Sequence, residues 1–181
     1  IESMELLLQH SKINPDPKDT NGATPLHWAA MNNQSDAVRL LINLPNGKVN
    51  VNQKDCFDRT PLLAAALSGS SEAMRILLTS GIQRVDVNIA DKMQVTPFIA
   101  AVERKSLECV KLLVETNNVD YNKTNSDGLT AFHIAVFNDE FDIVKYLLDV
   151  QGVEKADIKC AMSKNQLSVQ MTQILEEYFN K

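Results

Sequence analysis

Thr24-Pro25-Leu26-His27-Trp28-Ala29-Ala30 is the first copy of a pattern that the chain repeats. It returns as Thr60-Pro61-Leu62-Leu63, as Thr96-Pro97-Phe98-Ile99 and as Thr130-Ala131-Phe132-His133, with threonine spacings of 36, 36 and 34 residues. Five residues after each threonine stands an alanine: Ala29, Ala65, Ala101 and Ala135. Twelve after it stands an acid (Asp36, Glu72, Glu108, Asp142) and fifteen after it a base (Arg39, Arg75, Lys111, Lys145). Seventeen after it stands a leucine: Leu41, Leu77, Leu113 and Leu147. Many positions recurring together at a near-constant period are the signature of a repeat architecture.

Each position has a physical reading. Threonine before proline starts a helix, because the hydroxyl caps free N–H groups and proline suits the first turn. The small alanine lets that helix lie close against its neighbour. Breaks follow at Asn32-Asn33, Ser68-Gly69-Ser70, Lys105-Ser106 and Asn138-Asp139. A second helix then places apolar residues at helical spacing, as in Ala73, Met74, Ile76, Leu77 and Leu78. Its acid and base, three residues apart on the polar side, form weak pairs worth about 0.2–0.5 kcal/mol each. Val49-Asn50-Val51-Asn52, Val85-Asp86-Val87-Asn88 and Val119-Asp120-Tyr121-Asn122 alternate apolar and polar, which predicts extended chain. One unit is therefore a helix, a second helix and a protruding extended finger.

These residues resemble ankyrin repeats, whose pattern is a turn, then T-P-L-H-x-A-A, then an apolar second helix. The best copy runs from Asp19 to Ala30, and the match covers residues 19–153. The resemblance implies an all-α solenoid of stacked helix-turn-helix pairs with protruding β-hairpin fingers. It divides the chain into repeats at 19–54, 55–90, 91–124 and 125–153. Residues 1–18 are expected to be the second helix and finger of a partial repeat, and 154–181 a closing helical pair. Opening inside a repeat at Ile1, the chain is expected to be a monomeric stretch of a longer protein. Two departures matter. Gly22 and Gly128 occupy the finger turn, but Asp58 and Gln94 replace glycine there, which predicts tighter or bent fingers. The repeats also run up to three residues over the family period, which predicts longer fingers.

Composition narrows the function. Of 181 residues, 44% are hydrophobic and 23% charged, which is ordinary for a folded chain. Lys plus Arg number 18 against 23 Asp plus Glu, a net charge of −5, which argues against a phosphate-backbone binder and so against nucleic acid. The longest apolar runs, such as Leu6-Leu7-Leu8, are far too short to span a bilayer, and no membrane contact is expected. Cys56, Cys109 and Cys160 form neither a disulfide framework nor a CxxC site, which suits a reducing cytoplasmic or nuclear setting. No nucleophile–base arrangement or phosphate-cradling glycine loop is readable, so neither catalysis nor any cofactor is expected.

In the resembled family, the histidine of T-P-L-H orders the turn, so His27 and His133 are expected to be structural. Trp28, where the copies carry Ala64, Ala100 and Ile134, is expected to be semi-buried packing. Asn52, Asn88 and Asn122 resemble ankyrin asparagines that an intracellular hydroxylase modifies, Asn88 most closely; a turn-supporting role is the simpler reading. The resemblance also implies a concave face formed by finger tips and first-helix ends. There the chain places Met31, Phe57, Leu67, Met93, Val95, Leu129 and Phe137, with Arg59, Lys92 and Arg104 as a polar rim steering an acidic or mixed-charge partner. A run of large apolar side chains at such positions points to a protein or peptide partner. The expected function is thus a non-catalytic binding module acting as adaptor, scaffold or inhibitor. The alternative is a structural or regulatory segment of a larger protein, such as a channel or multidomain enzyme, with no partner of its own.

Overall fold

The computed structural model describes residues 14, 16–44, 49–81, 84–150, 155–163 and 167–180. Four helix pairs follow the four threonines: α1 (Pro25–Met31) with α2 (Ser35–Ile42), and α3 (Pro61–Ser68) with α4 (Ser71–Thr79). Next come α5 (Pro97–Glu103) with α6 (Leu107–Val114), and α7 (Ala131–Phe137) with α8 (Phe141–Asp149). Two further helices, α9 (Lys155–Met162) and α10 (Val169–Phe179), close the described chain. The second helix expected within residues 1–10 lies outside the described residues.

Each threonine is an N-cap with extended backbone. The hydroxyls of Thr60, Thr96 and Thr130 accept from the N–H three residues on, at 3.2, 3.2 and 3.4 Å. At the far end of the same helices, Gln34, Ser70, Ser106 and Glu140 donate their N–H to the carbonyls of Ala29, Ala65, Ala101 and Ala135. That bond closes a Schellman turn, which needs a left-handed residue just before the donor. Asn33, Gly69, Lys105 and Asp139 supply it, at φ of 53°, 68°, 57° and 54°. The motif alanine therefore serves twice, as a small packing surface and as the carbonyl that ends its helix.

Helices of seven to eleven residues are marginal alone and depend on stacking. The first helices form an inner row, α1 on α3 on α5 on α7, and the second helices an outer row, α2 on α4 on α6 on α8. Inner helices are apolar almost all round: α3 buries every residue from Pro61 to Ala66. Outer helices bury one stripe, such as Ala73, Met74, Ile76 and Leu77 of α4. Truncating a fully buried leucine such as Leu62 would cost about 2–5 kcal/mol. At the end of the rows, α9 packs on α7, and α10 on α8 and α9. Tyr178 of α10 donates its hydroxyl to Asp149 Oδ1 at 2.5 Å, and that bond holds the phenol pKa above its usual range.

The alternating Val-Asx-Val/Tyr-Asn stretches are not extended as expected. Asn50, Asp86 and Asp120 each accept with Oδ1 from the N–H two residues on, at 3.0, 2.9 and 3.1 Å, and fold the stretch into an Asx turn. The turn aims both Val49 and Val51 into the core, each 2% exposed. The short polar side chain satisfies the backbone locally, so no sheet partner is required. Among the described residues there is no strand, only one antiparallel bridge between Thr124 and Thr130.

The outer charges pair differently from expectation. Arg75 reaches Glu72 within its own helix at 3.4 Å, but it also pairs with Glu108 of the next repeat. Arg39 likewise approaches Glu72 at 3.7 Å. These groups are about half exposed, so each pair contributes at most about 1 kcal/mol.

Candidate functional site

The finger tips are built by a residue five positions before each threonine: Asp19, Asp55, Asp91 and Asn125. Each of these side chains accepts with Oδ1 from the N–H groups two and four residues on, all at 2.8–3.0 Å. The backbone closes around it, with the fifth residue's carbonyl accepting from the first residue's N–H, as in Asp19 to Ala23 at 2.9 Å. This periodic Asx position was legible in the spacing, and sequence reasoning missed it. Within that loop one residue must be left-handed: Gly22 at φ 74°, Asp58 at 64°, Gln94 at 60° and Gly128 at 74°. Asp58 and Gln94 thus hold the same turn as the glycines, and the tighter or bent fingers expected there are absent. The five-residue hydrogen-bonded loop dictates the conformation, and a residue with a Cβ adopts it at a steric cost to its backbone.

Neighbouring fingers are registered by single backbone bonds. Cys56 N–H donates to Asn21 O at 2.8 Å, Lys92 N–H to Phe57 O at 3.1 Å, and Ser126 N–H to Met93 O at 3.0 Å. A second clasp uses asparagine side chains. Asn52 Nδ2 donates to Arg84 O at 2.8 Å while its Oδ1 accepts from Asp86 N–H at 3.0 Å. Asn88 does the same to Asn118 O and Asp120 N–H, at 2.7 and 2.9 Å. Asn88 therefore ties two repeats together, and both ends of its amide are occupied.

His27 is buried and accepts with Nδ1 from Thr24 N–H at 3.1 Å, so its proton sits on Nε2, which donates to Arg59 O at 2.9 Å. Burial lowers its pKa from 6.5 and keeps the ring neutral. Its role is structural, spanning two repeats. In the second and third copies Leu63 and Ile99 fill this position as buried apolar groups.

The ten face residues fall into distinct sets. Phe57, Met93 and Phe137 stand out, 48%, 60% and 37% exposed. Leu67, Val95 and Leu129 are half-buried and packed on the core, so they floor the groove rather than project from it. Met31 is also half-buried. Lys92 and Arg104 are exposed. Arg59 is not a free rim charge: its guanidinium lies 2.7 Å from Asp55 Oδ2 and 4.6 Å from the centroid of Phe57. Burial alone would raise the Asp55 pKa, but hydrogen bonds from the Arg59 side chain and backbone and from Phe57 outweigh it and hold the carboxyl low. Acidic groups share the face: burial, with Asp91 and Asp127 close by, raises the Glu103 pKa.

Trp28 departs from expectation. It is 48% exposed, its Nε1–H donates to Asp19 Oδ2 at 3.0 Å, and it walls a cleft of about 240 Å³ between the first two described repeats. Asp19, Asn21, Ala23, His27, Met31, Asp55, Arg59, Ala64 and Leu67 complete the lining. The small Ala64 leaves the room that Trp28 borders. No such cleft follows from the repeat pattern.

Among the described residues no three His, Cys, Asp or Glu side chains stand where they could hold a metal ion. No helix there is long and apolar enough to cross a membrane.

Short helix pairs in two rows, joined by fingers and contacting only their neighbours, define a helical-repeat solenoid. The chain belongs to the ankyrin-repeat family: the family model described as ankyrin repeats in three copies matches residues 1–91 and 82–160. Ankyrin repeats are generally protein–protein interaction modules, and the family is typically non-catalytic. A comparison with curated proteins gave no match.

Proposed function

We propose that this chain binds a protein partner along its concave face, with Phe57, Met93 and Phe137 as anchors over a floor of Leu67, Val95 and Leu129. One observation carries the reading. Of the five large hydrophobic side chains exposed among the described residues, Trp28, Phe57, Met93 and Phe137 belong to fingers or inner helices, and only Val169 does not. Exposed apolar side chains gathered on one face support an interaction surface, and buried aromatic anchors can each carry about 2 kcal/mol or more of binding energy. Lys92 and Arg104 form the charged rim, while Arg59 braces Phe57. The action is recruitment or inhibition of the partner, without chemistry of its own. An intracellular, reducing setting fits three free cysteines, of which Cys56 and Cys160 are exposed.

The test compares Phe57→Glu and Phe137→Glu with Arg75→Glu on the outer row, each immobilised to capture partners from a cell lysate, with bound proteins identified by mass spectrometry. All three should keep the helical circular dichroism of the parent, since none is a core position. A protein captured by the parent and by Arg75→Glu should be lost from both phenylalanine variants. If Arg75→Glu loses it and both phenylalanine variants keep it, the assignment to the concave face is wrong.

A further inference from the structure

We infer that the cleft beside Trp28 is a socket for one large apolar side chain, leucine, methionine or phenylalanine, projecting from a stretch of a partner peptide without acidic residues. The inference goes beyond the anchor line from Phe57 to Phe137 and does not depend on it.

Size sets the first limit. A drug-sized ligand needs roughly 300–1,000 Å³, whereas an apolar cavity of about 150 Å³ already accepts benzene. At about 240 Å³ the cleft lies between the two and matches a single side chain.

Chemistry sets the second limit. The apolar wall is Trp28, Met31, Ala64 and Leu67. The ionisable and imidazole groups around it are already engaged internally. His27 Nε2 donates to Arg59 O at 2.9 Å, and Asp19 accepts from Trp28 Nε1–H at 3.0 Å and from two backbone N–H groups at 2.8 and 2.9 Å. Asp55 and Arg59 neutralise each other at 2.7 Å. The three donors to Asp19 are all neutral, so its carboxylate leaves the rim net negative. An anionic side chain entering here would give up its water to face that carboxylate, and such desolvation is costly. An apolar one gains the face of the indole at no such cost. The cleft therefore rejects an anionic occupant and favours an apolar one.

Trp28 is the sole tryptophan of the chain, so its fluorescence reports on this cleft alone. The probes are N-acetyl-L-leucinamide, N-acetyl-L-phenylalaninamide and N-acetyl-L-glutamic acid α-amide, titrated against the whole chain with excitation selective for indole. The two apolar probes should give a saturable blue shift with half-saturation on the order of 1–30 mM, near the millimolar end of the affinity scale. The glutamate probe should bind at least about tenfold more weakly. Ala64→Met, which fills the floor, should weaken the apolar probes by about tenfold or more. Leu67→Asp, which places a charge in the wall, should do the same, and it keeps the test open if the methionine variant does not fold. No saturable shift, equal binding of the glutamate probe, or unchanged binding in a folded variant would overturn the socket. The probe titrations of the parent chain and of Ala64→Met do not bear on Phe57 and Phe137, which the lysate capture judges separately.

Discussion

Replacing Asn88 with alanine removes a bridge between two repeats and little else. The amide donates to Asn118 O at 2.7 Å and accepts from Asp120 N–H at 2.9 Å, both about 30 residues away in sequence. Two neutral hydrogen bonds contribute about 0.5–1.5 kcal/mol each, so the gross range is about 1–3 kcal/mol. Asn88 is half-buried, and water can replace part of what is lost, which favours the lower end, about 1–1.5 kcal/mol. That is close to a tenfold change in the folding equilibrium. Gln53→Ala is the control, because that side chain donates only to the adjacent Lys54 O and should cost no more than about 0.5 kcal/mol. Urea unfolding followed by circular dichroism gives the stability difference. Native-state hydrogen exchange locates it, since the Asp120 amide should lose protection while the inner-helix amides of the first repeat keep theirs. A loss below about 0.5 kcal/mol with an unchanged Asp120 amide would show that the clasp is geometrically present but energetically idle.

Two further outcomes follow from the backbone and from His27. Gln94 holds a left-handed conformation that costs a residue with a Cβ about 1–2 kcal/mol, so Gln94→Gly should stabilise by about 0.5–1 kcal/mol after the entropy of glycine is deducted. Gly128→Ala should destabilise by a similar amount through strain alone, since a Cβ there meets nothing within 4 Å; equal melting temperatures would refute both. Burial depresses the His27 pKa, so the unfolded chain takes up a proton before the folded one as pH drops through 6.5. Stability from neutral His27 is therefore complete above pH 6.5 and is lost as pH falls toward the folded value. His27→Leu, the residue type of the second copy, should be less stable at pH 8 but flatter between pH 7 and 5; an unchanged slope in chemical denaturation would contradict this.

The spacing of Thr, Ala, acid, base and Leu was enough to specify helix pairs, their order and the stacking, because each of those residues acts within one turn or against the next copy of itself. Thr60 caps its own helix, and Leu77 buries against a neighbour that the period already supplies. The structural role expected of His27 rested on the family resemblance, and its bond to Arg59 O reaches into the next repeat. The Asx positions Asp19, Asp55, Asp91 and Asn125 were equally periodic and equally local, and the lesson there is only that a loop residue can be as regular as a helix residue. Other features depend on contacts that spacing alone does not specify. Whether Val-Asn-Val-Asn runs extended or turns depends on which N–H the Asx oxygen captures, and alternation is the same in both. Arg59 lost its place on the rim because Asp55 and Phe57 close on it in space. Trp28 became a wall rather than packing because Ala64, 36 residues away, is too small to cover it. The sequence alone determined the repeating unit, since that is encoded by short-range spacing. Only the tertiary structure decided which charges are free, which apolar groups project and where a cleft opens, because each depends on how side chains close on one another in space, within one finger for Arg59 and across two repeats for Trp28 and Ala64.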